Sequence, residues 1–251
     1  MVRSPIPTVA RWRDNATAAH VAPLIAFIAL RLLVDVVKVA NPGLPWWRSA
    51  PEHWVYPLQT AVALALIAFW WRHYRFRPLG PSAWVWGIVG GTVGIAFWLL
   101  PNWLHLRCGW TVPWLGMVDR STDGFDAGIF PHGSTAWWTT LLLRFARAAI
   151  AVPFVEEVFW TAFLWRYLAE PERDWTTVPF AVAKWRAWIG LCVGTMLIHM
   201  PIDWPASIPW RITVIVVATR TGSLGACVIC HAVANLIMGL YAVTTGQKGF
   251  W

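Results

Sequence analysis

The sequence predicts an all-α protein, a polytopic bundle of about seven to eight transmembrane helices that forms a single domain over residues 1–251. Three observations predict this class. Of the 251 residues, 58% are hydrophobic and 13% are charged, whereas soluble domains contain about 25% charged residues. Several apolar runs approach the roughly 20 residues that cross a bilayer as a helix. Many of the 22 tryptophans flank these runs, where indole rings favour the level of the lipid headgroups.

Hydropathy windows of about 19 residues place the candidate spans in chain order. They fall near residues 18–40, 54–71, 83–100, 135–168, 187–204, 206–219 and 224–245. The fourth is too long for one crossing and contains Pro153, so it is either one kinked helix or two pieces. In the third span, overlapping GxxxG patterns predict close contact with neighbouring helices.

The distribution of basic residues predicts the orientation. Most lie before the first span or in the second, fourth and sixth loops: Arg3, Arg11, Arg13, Arg72, Arg75, Arg77, Arg166, Arg173, Lys184, Arg186 and Arg220. The positive-inside rule therefore predicts a multi-pass membrane protein with a cytoplasmic N-terminus. Seven crossings would place residue 251 outside. The net charge of +8 thus indicates membrane topology, and no nucleic-acid partner is expected.

Ionisable groups inside a span are expensive to bury and therefore indicate function or pairing. In the first span, Asp35 can reach Arg31 and Lys38 at helical spacing, which predicts an internal ion-pair set with a structural role. The fourth span contains Arg144 and Arg147, followed by the adjacent pair Glu156 and Glu157.

The Glu156–Glu157 doublet, in the apolar stretch PFVEEVFW, is the most informative of these groups. Two adjacent buried carboxylates cannot both be ionised cheaply. They point about 100° apart on a helix, so one can face a cavity while the other takes a supporting partner. A carboxylate in such a place can activate water as a general base. The alternative is a structural pair that bonds to neighbouring helices.

Polar residues of two later spans fall at a depth similar to that of Glu156. His231 and Asn235 share one helix face at i,i+4 spacing, so two side-chain donors can converge on a carbonyl oxygen. Counted inward at about 1.5 Å per residue, His199, His231 and Glu156 each lie roughly 16–20 Å from the inner boundary. A histidine such as His199 can alternatively serve only in helix packing.

The segment CVICH, residues 227–231, matches the attachment signature of c-type haem. Covalent haem would lie outside the cytoplasmic membrane, whereas this segment falls within an apolar helix. We therefore interpret Cys227 and Cys230 as small buried side chains.

Several of these motifs together resemble a known family. The stretch EEVFWTAFLWRYL, the later GTMLIHM and the closing TGSLGACVICHAVAN are similar to the CAAX-protease and bacteriocin-processing family of intramembrane endopeptidases. The likeness covers residues 140–251. The earlier spans resemble the family only in being apolar helices. RHY after the second span and YAVTTGQKGFW at the end are similar to the bacterial branch associated with exosortase sorting systems. The resemblance therefore implies a location in the bacterial inner (cytoplasmic) membrane, a membrane-associated protein or peptide substrate and an exosortase-type partner system.

The family motifs imply a role for each candidate residue. Glu156 corresponds to the water-activating base and Glu157 to its supporting neighbour. His199 corresponds to the partner of Glu156 on the water, and His231 with Asn235 to the oxyanion donors.

Two positions depart from the family pattern. Thr161 replaces an arginine and Thr195 replaces a phenylalanine. An arginine beside the doublet would hold a carboxylate ionised, which a threonine cannot do, although Arg144, Arg147 or Arg166 could substitute. The alternative function is therefore an inactive or retuned homologue that acts as a membrane partner of a sorting or processing system.

The sequence leaves the use of a metal open. Glu156, His199 and His231 are acceptable ligands for a divalent metal such as zinc, but they can also act without one. No HExxH helix is present, which favours the metal-free mechanism. A transporter, which could also hold such residues near mid-membrane, would usually show inverted repeats, and none is found.

Overall fold

The computed structural model describes residues 9–39, 41, 43–122 and 124–251, with the side chains from residue 12 onward. Long helices dominate these ranges. They are α1 (Ala16–Val37), α2 (Glu52–Phe69), α3 (Pro81–Cys108), α4 (Thr135–Ala169), α5 (Trp185–Leu197), α6 (Trp204–Thr221) and α7 (Leu224–Thr245). A bridge between Val112 and Met117 is the only β-type pairing in the described ranges. The all-helical prediction is therefore confirmed.

Four of these helices, α1, α3, α4 and α7, are long and apolar enough to cross a membrane. The chain is thus a membrane protein. The other predicted spans also form helices, but α5 has only 13 residues, which corresponds to about 20 Å. A bilayer core is about 30 Å thick. The total of seven to eight crossings therefore stays a prediction.

The fifth predicted span, 187–204, is too long. Helix α5 ends at Leu197, and His199 lies in the turn that follows it. Pro201 explains the end, because a proline lacks the backbone N–H and disfavours helical conformation at the preceding residue. His199 is therefore held on a turn between α5 and α6.

Helix α4 is one continuous helix of 35 residues rather than two pieces. Two π-helical segments, Arg147–Ala151 and Val158–Leu164, interrupt its α-helical geometry. The turn that contains Pro153 and the Glu156–Glu157 doublet lies between them. Local π geometry lets a membrane helix accommodate a proline, and π segments are frequent at functional sites.

The glycines of α3 allow two helices to approach it closely. A Cβ on Gly91 would lie 2.4 Å from the carbonyl oxygen of Cys230 in α7, and one on Gly90 would lie 2.5 Å from the Val217 side chain in α6. The predicted close packing of the GxxxG patterns is therefore confirmed. Cys227 and Cys230 are fully buried, so this segment offers no room for the haem alternative.

The ion-pair set predicted in the first span is only partly correct. Arg31 and Asp35 form a salt bridge of 3.1 Å, but Lys38 pairs with Glu52 at 3.5 Å instead. The reason is that α1 ends at Val37, so Lys38 leaves the helical repeat and reaches α2.

A cap formed by the α3–α4 loop and residues 246–251 closes one end of the bundle. Gln247 is its buried centre: its side-chain oxygen accepts from Asn102 Nδ2 and from the Arg120 backbone, each at 2.8 Å. Its amide donates to Asp119 Oδ1 at 2.8 Å. That hydrogen bond, together with those from Ser121, lowers the pKa of Asp119 below its ordinary value.

Candidate active site

A cavity of about 340 Å³ lies among α1, α3, α4, α6 and α7. Four of the five candidate residues line it: Glu156, His199, His231 and Asn235. They come from α4, from the turn after α5 and from α7. Three chain segments thus bring a carboxylate, two imidazoles and an amide to one cavity.

Glu156 and Glu157 face different surroundings, as expected for successive residues that point about 100° apart. Glu156 lines the cavity, and within the described part of the chain its carboxylate has no salt-bridge partner. Glu157 is 0% exposed and lies outside the cavity lining. Only Glu156 is therefore placed to meet a water molecule or a substrate there.

Glu157 contacts three side chains on three helices. Its Oε1 bonds to His231 Nδ1 at 2.8 Å, and its Oε2 accepts from Thr161 Oγ1 at 2.5 Å. Arg211 of α6 places Nη1 3.6 Å from the same Oε2. Glu157 therefore supports His231 directly, through a carboxylate that a buried cation stabilises.

Arg211 also contacts the second position that departs from the family pattern. Its Nε donates to Thr195 Oγ1 at 2.8 Å, and the arginine is only 1% exposed. The arginine beside the doublet is therefore supplied by α6, and not by Arg144, Arg147 or Arg166. One signal in the sequence could have found it, because Arg211 is an ionisable residue in the apolar stretch WRITVIVV.

The hydrogen bond of His199 determines which ring nitrogen carries the proton. Its Nδ1 lies 2.7 Å from the carbonyl oxygen of Thr195. A carbonyl only accepts, so Nδ1 carries the hydrogen and Nε2 of the neutral ring is left as an acceptor. The ring packs edge-on against Trp98, another residue of the cavity wall, with 5.0 Å between centroids.

Asn235 is oriented by the first π-helical segment of α4. Its Nδ2 donates to the carbonyl oxygen of Ala148 at 2.8 Å. The second hydrogen of the same amide nitrogen remains for another acceptor. The amide is thus fixed at the cavity wall, on the same helix as His231.

The described residues contain no cluster of side chains that could hold a metal ion. No three His, Cys, Asp or Glu side chains there are grouped closely enough to hold an ion. Glu156, His199 and His231 share the cavity without forming such a ligand set, so this arrangement does not fit a bound zinc.

A comparison with protein-family models matches residues 136–237 to the family described as type II CAAX prenyl endopeptidase Rce1-like. Because of this similarity, residues 136–237 are called the Rce1-like region. The match contains Glu156, Glu157, Thr161, Thr195, His199, Arg211, His231 and Asn235. It confirms the family resemblance expected from the motifs and, at the level of the family, supports a membrane protease. Neither the curated proteins nor the solved structures contain a match to the chain.

The Rce1-like region contains most of the elements around the cavity. It extends from the start of α4 into α7 and includes every segment that brings a candidate residue to the cavity. The cavity is completed by residues outside this region: Phe27 from α1, Ile95 and Trp98 from α3, and Met238 from α7.

Proposed function

We propose that the protein is an intramembrane endopeptidase that hydrolyses a peptide bond of a membrane-associated protein or peptide. The observation that carries the proposal is the convergence of Glu156, His199, His231 and Asn235 on one cavity within an Rce1-like region. Peptide hydrolysis in a membrane needs a base for water and donors for the developing oxyanion.

Glu156 and His199 activate the water in this mechanism. A water in the cavity donates one hydrogen to the Glu156 carboxylate and the other to His199 Nε2. Glu156 then removes a proton as the water oxygen attacks the scissile carbonyl carbon, and it returns this proton to the leaving amine nitrogen as the C–N bond breaks. The free carboxylate of Glu156 and the tautomer of His199 both suit this role.

His231 and Asn235 stabilise the negative charge that develops on the carbonyl oxygen. Glu157 holds Nδ1 of His231, so the opposite nitrogen, Nε2, serves the cavity. With Glu157 ionised beside Arg211, a doubly protonated His231 donates through Nε2. The second hydrogen of the Asn235 amide supplies the other donor.

The Arg211 contacts favour this function over an inactive homologue. The two departures, Thr161 and Thr195, both belong to the network around Glu157. Thr161 donates to the carboxylate, and Thr195 accepts from the arginine that replaces the missing cation. Because this network keeps Glu157 beside a cation, the two departures do not by themselves indicate an inactive homologue.

The substrate class follows from the family name and from the membrane setting. We propose a substrate anchored in or at the membrane, carrying a prenyl-type group or a sorting signal, in the inner membrane of a bacterium. An exosortase-type system is the proposed partner. The proposed orientation keeps the N-terminus in the cytoplasm, as the basic loops predict.

Terminal proteomics of host membranes tests the proposal without requiring an identified substrate. Cells lacking the protein are complemented with wild type, with Glu156→Gln or with the exposed control Glu172→Gln. New protein termini should depend on wild type and on Glu172→Gln. With Glu156→Gln they should fall at least about 100-fold, the usual scale for losing a general base.

Two outcomes would contradict the proposal. The same termini at the same abundance with Glu156→Gln would exclude Glu156 as the base. Full complementation of a sorting phenotype by Glu156→Gln, without any new termini, would instead support the membrane-partner alternative.

A further inference from the structure

The cavity wall contains a buried cation that the catalytic mechanism does not use. Arg144 is 8% exposed and lines the cavity. Its Nε and Nη1 are buried without a hydrogen-bond partner, and no carboxylate of the described residues forms a salt bridge with it. A buried charged donor without a partner is costly and therefore indicates a missing ligand.

Aromatic rings hold this guanidinium in place. Its Cζ lies 5.1 Å from the ring centroid of Tyr56 and 5.5 Å from those of Phe125 and Trp251. Cation–π contacts attract the charge but leave the N–H groups at its edge unpaired. The rings therefore orient the guanidinium but leave its Nε and Nη1 donors without hydrogen-bond acceptors.

Arg147 adds a second cation to the same wall. Its Nε donates to Gln59 Oε1 at 2.6 Å, and its Cζ lies 4.3 Å from the Tyr56 ring centroid. It too forms no salt bridge among the described residues. Two guanidinium groups thus share this side of the cavity, and neither forms a salt bridge with a described acid.

The position of Arg144 relates the unpaired cation to the catalytic residues. It lies twelve residues before Glu156 on the same helix, so their Cα atoms are at most about 18 Å apart at 1.5 Å per residue. An extended peptide advances about 3.3 Å per residue. A substrate segment of a few residues can therefore reach from the scissile bond to Arg144.

We infer that Arg144, supported by Arg147, forms a carboxylate-binding subsite that anchors the substrate beside the scissile bond. The inference rests on the proposed function, because it takes the cavity to be a peptide site. The planar guanidinium fork matches the two oxygens of a carboxylate. A peptide supplies that group from its C-terminus or from an Asp or Glu side chain.

A competition experiment tests binding separately from catalysis. Protein carrying Glu156→Gln in nanodiscs of zwitterionic lipid is equilibrated with a pool of short peptides randomised over Ala, Val, Leu and Phe. The pool contains equal amounts of three forms: a free C-terminal carboxylate, a C-terminal amide, and an amide with one internal Glu. Mass spectrometry of the retained peptides, at physiological ionic strength, gives the ratio of each carboxylate form to the amide.

We expect Arg144-containing protein to retain one carboxylate form about 10-fold or more over the amide, the scale of a hydrogen bond to a charged group. The form retained identifies the source of the carboxylate. Adding Arg144→Gln should bring the ratio close to one. Adding Arg220→Gln, which removes a cation that does not line the cavity, should leave the ratio unchanged.

Equal retention of all forms by Arg144-containing protein would overturn the subsite, as would an unchanged ratio in folded Arg144→Gln. If Arg144→Gln does not fold, Arg144→Lys keeps the charge without the fork and should show a smaller preference than Arg144. If octyl phosphate displaces the retained peptides at a lower concentration than octanoate does, the subsite binds phosphate rather than carboxylate, and the inference is overturned. Because the measurement uses Glu156→Gln protein, its result does not depend on whether the cavity hydrolyses peptides.

Discussion

Arg211 joins the two positions at which the chain departs from the family motif. It donates to Thr195 Oγ1 and lies within salt-bridge distance of Glu157, which in turn accepts from Thr161. In this chain the cation beside Glu157 comes from α6, whereas the family pattern places it on α4. The small side chain at position 195 supplies both room and an acceptor for it.

We expect Arg211→Met to lower activity at least about 10-fold and to lower the Tm, because breaking a buried ion pair costs about 3–5 kcal/mol. Adding Thr161→Arg returns a cation to the family position and should recover part of both losses. Thermal unfolding and initial rates with wild-type-dependent substrates measure the two effects. Arg220→Met, at the exposed end of α6, is the matched control.

If Arg211→Met combined with Thr161→Arg is neither more active nor more stable than Arg211→Met alone, Arg211 does not supply the charge of the family arginine at position 161. Initial rates measured well below the Tm of each variant add an independent readout, because a charge that orients Glu157 and His231 affects the rate of the folded protein. A purely structural role of Arg211 would lower the Tm and leave these rates in place.

The relative placement of residues can be predicted where one helix carries the whole pattern. His231 and Asn235 follow from i,i+4 spacing, and the different orientations of Glu156 and Glu157 follow from adjacent helical positions. Arg211 could be flagged as an intramembrane cation, but its partner could not be read from the sequence. That contact depends on how α6 packs against α4, which no local spacing encodes.

At the level of helices, α3 acts as the platform for α6 and α7. Gly87 and Gly91 face α7, whereas Gly90 and Gly94 face α6. One helix therefore positions both the element that carries Arg211 and the element that carries His231. Hydropathy predicted these helices, but the end of α5 and the π segments of α4 depend on Pro201 and on local backbone geometry that window averages do not detect.

Gly91→Ala should destabilise the protein although alanine is the better helix former by about 1 kcal/mol. The added Cβ would lie 2.4 Å from the backbone oxygen of Cys230, which cannot move aside as a flexible side chain could. Thermal unfolding in detergent should show a lower Tm. Gly80→Ala, where no atom lies within 4 Å of the new Cβ, should not. A higher Tm for Gly91→Ala would mean that α3 and α7 are not in this close contact.

For the whole molecule, a catalytic cavity within a helical bundle needs a defined orientation in the membrane. The four apolar helices long enough to cross establish a membrane protein, and the basic loops predict which side is cytoplasmic. In that predicted orientation, the cap over one end of the bundle lies at the outer face of the membrane. The second loop, which contains Arg72, Arg75 and Arg77, lies at the inner face.

Topology reporters test this orientation directly. A reporter fused after Arg77 should report the cytoplasm, because Arg72, Arg75 and Arg77 crowd this loop. A reporter fused after Trp251 should report the periplasm if the chain crosses seven times. Both reporters on the same side of the membrane would contradict the seven-span arrangement.

The two π-helical segments of α4 have a consequence for how relatives are compared. A π segment holds one residue more than the α-helical turn it replaces. A relative with an uninterrupted helix would therefore need a gap at Arg147–Ala151 or Val158–Leu164 to keep its side chains in register with this chain. Without that gap, an alignment would turn every residue beyond it by about 100° onto a different face. Motif spacings counted across either segment are then off by one, although the side chains compared occupy the same place in space.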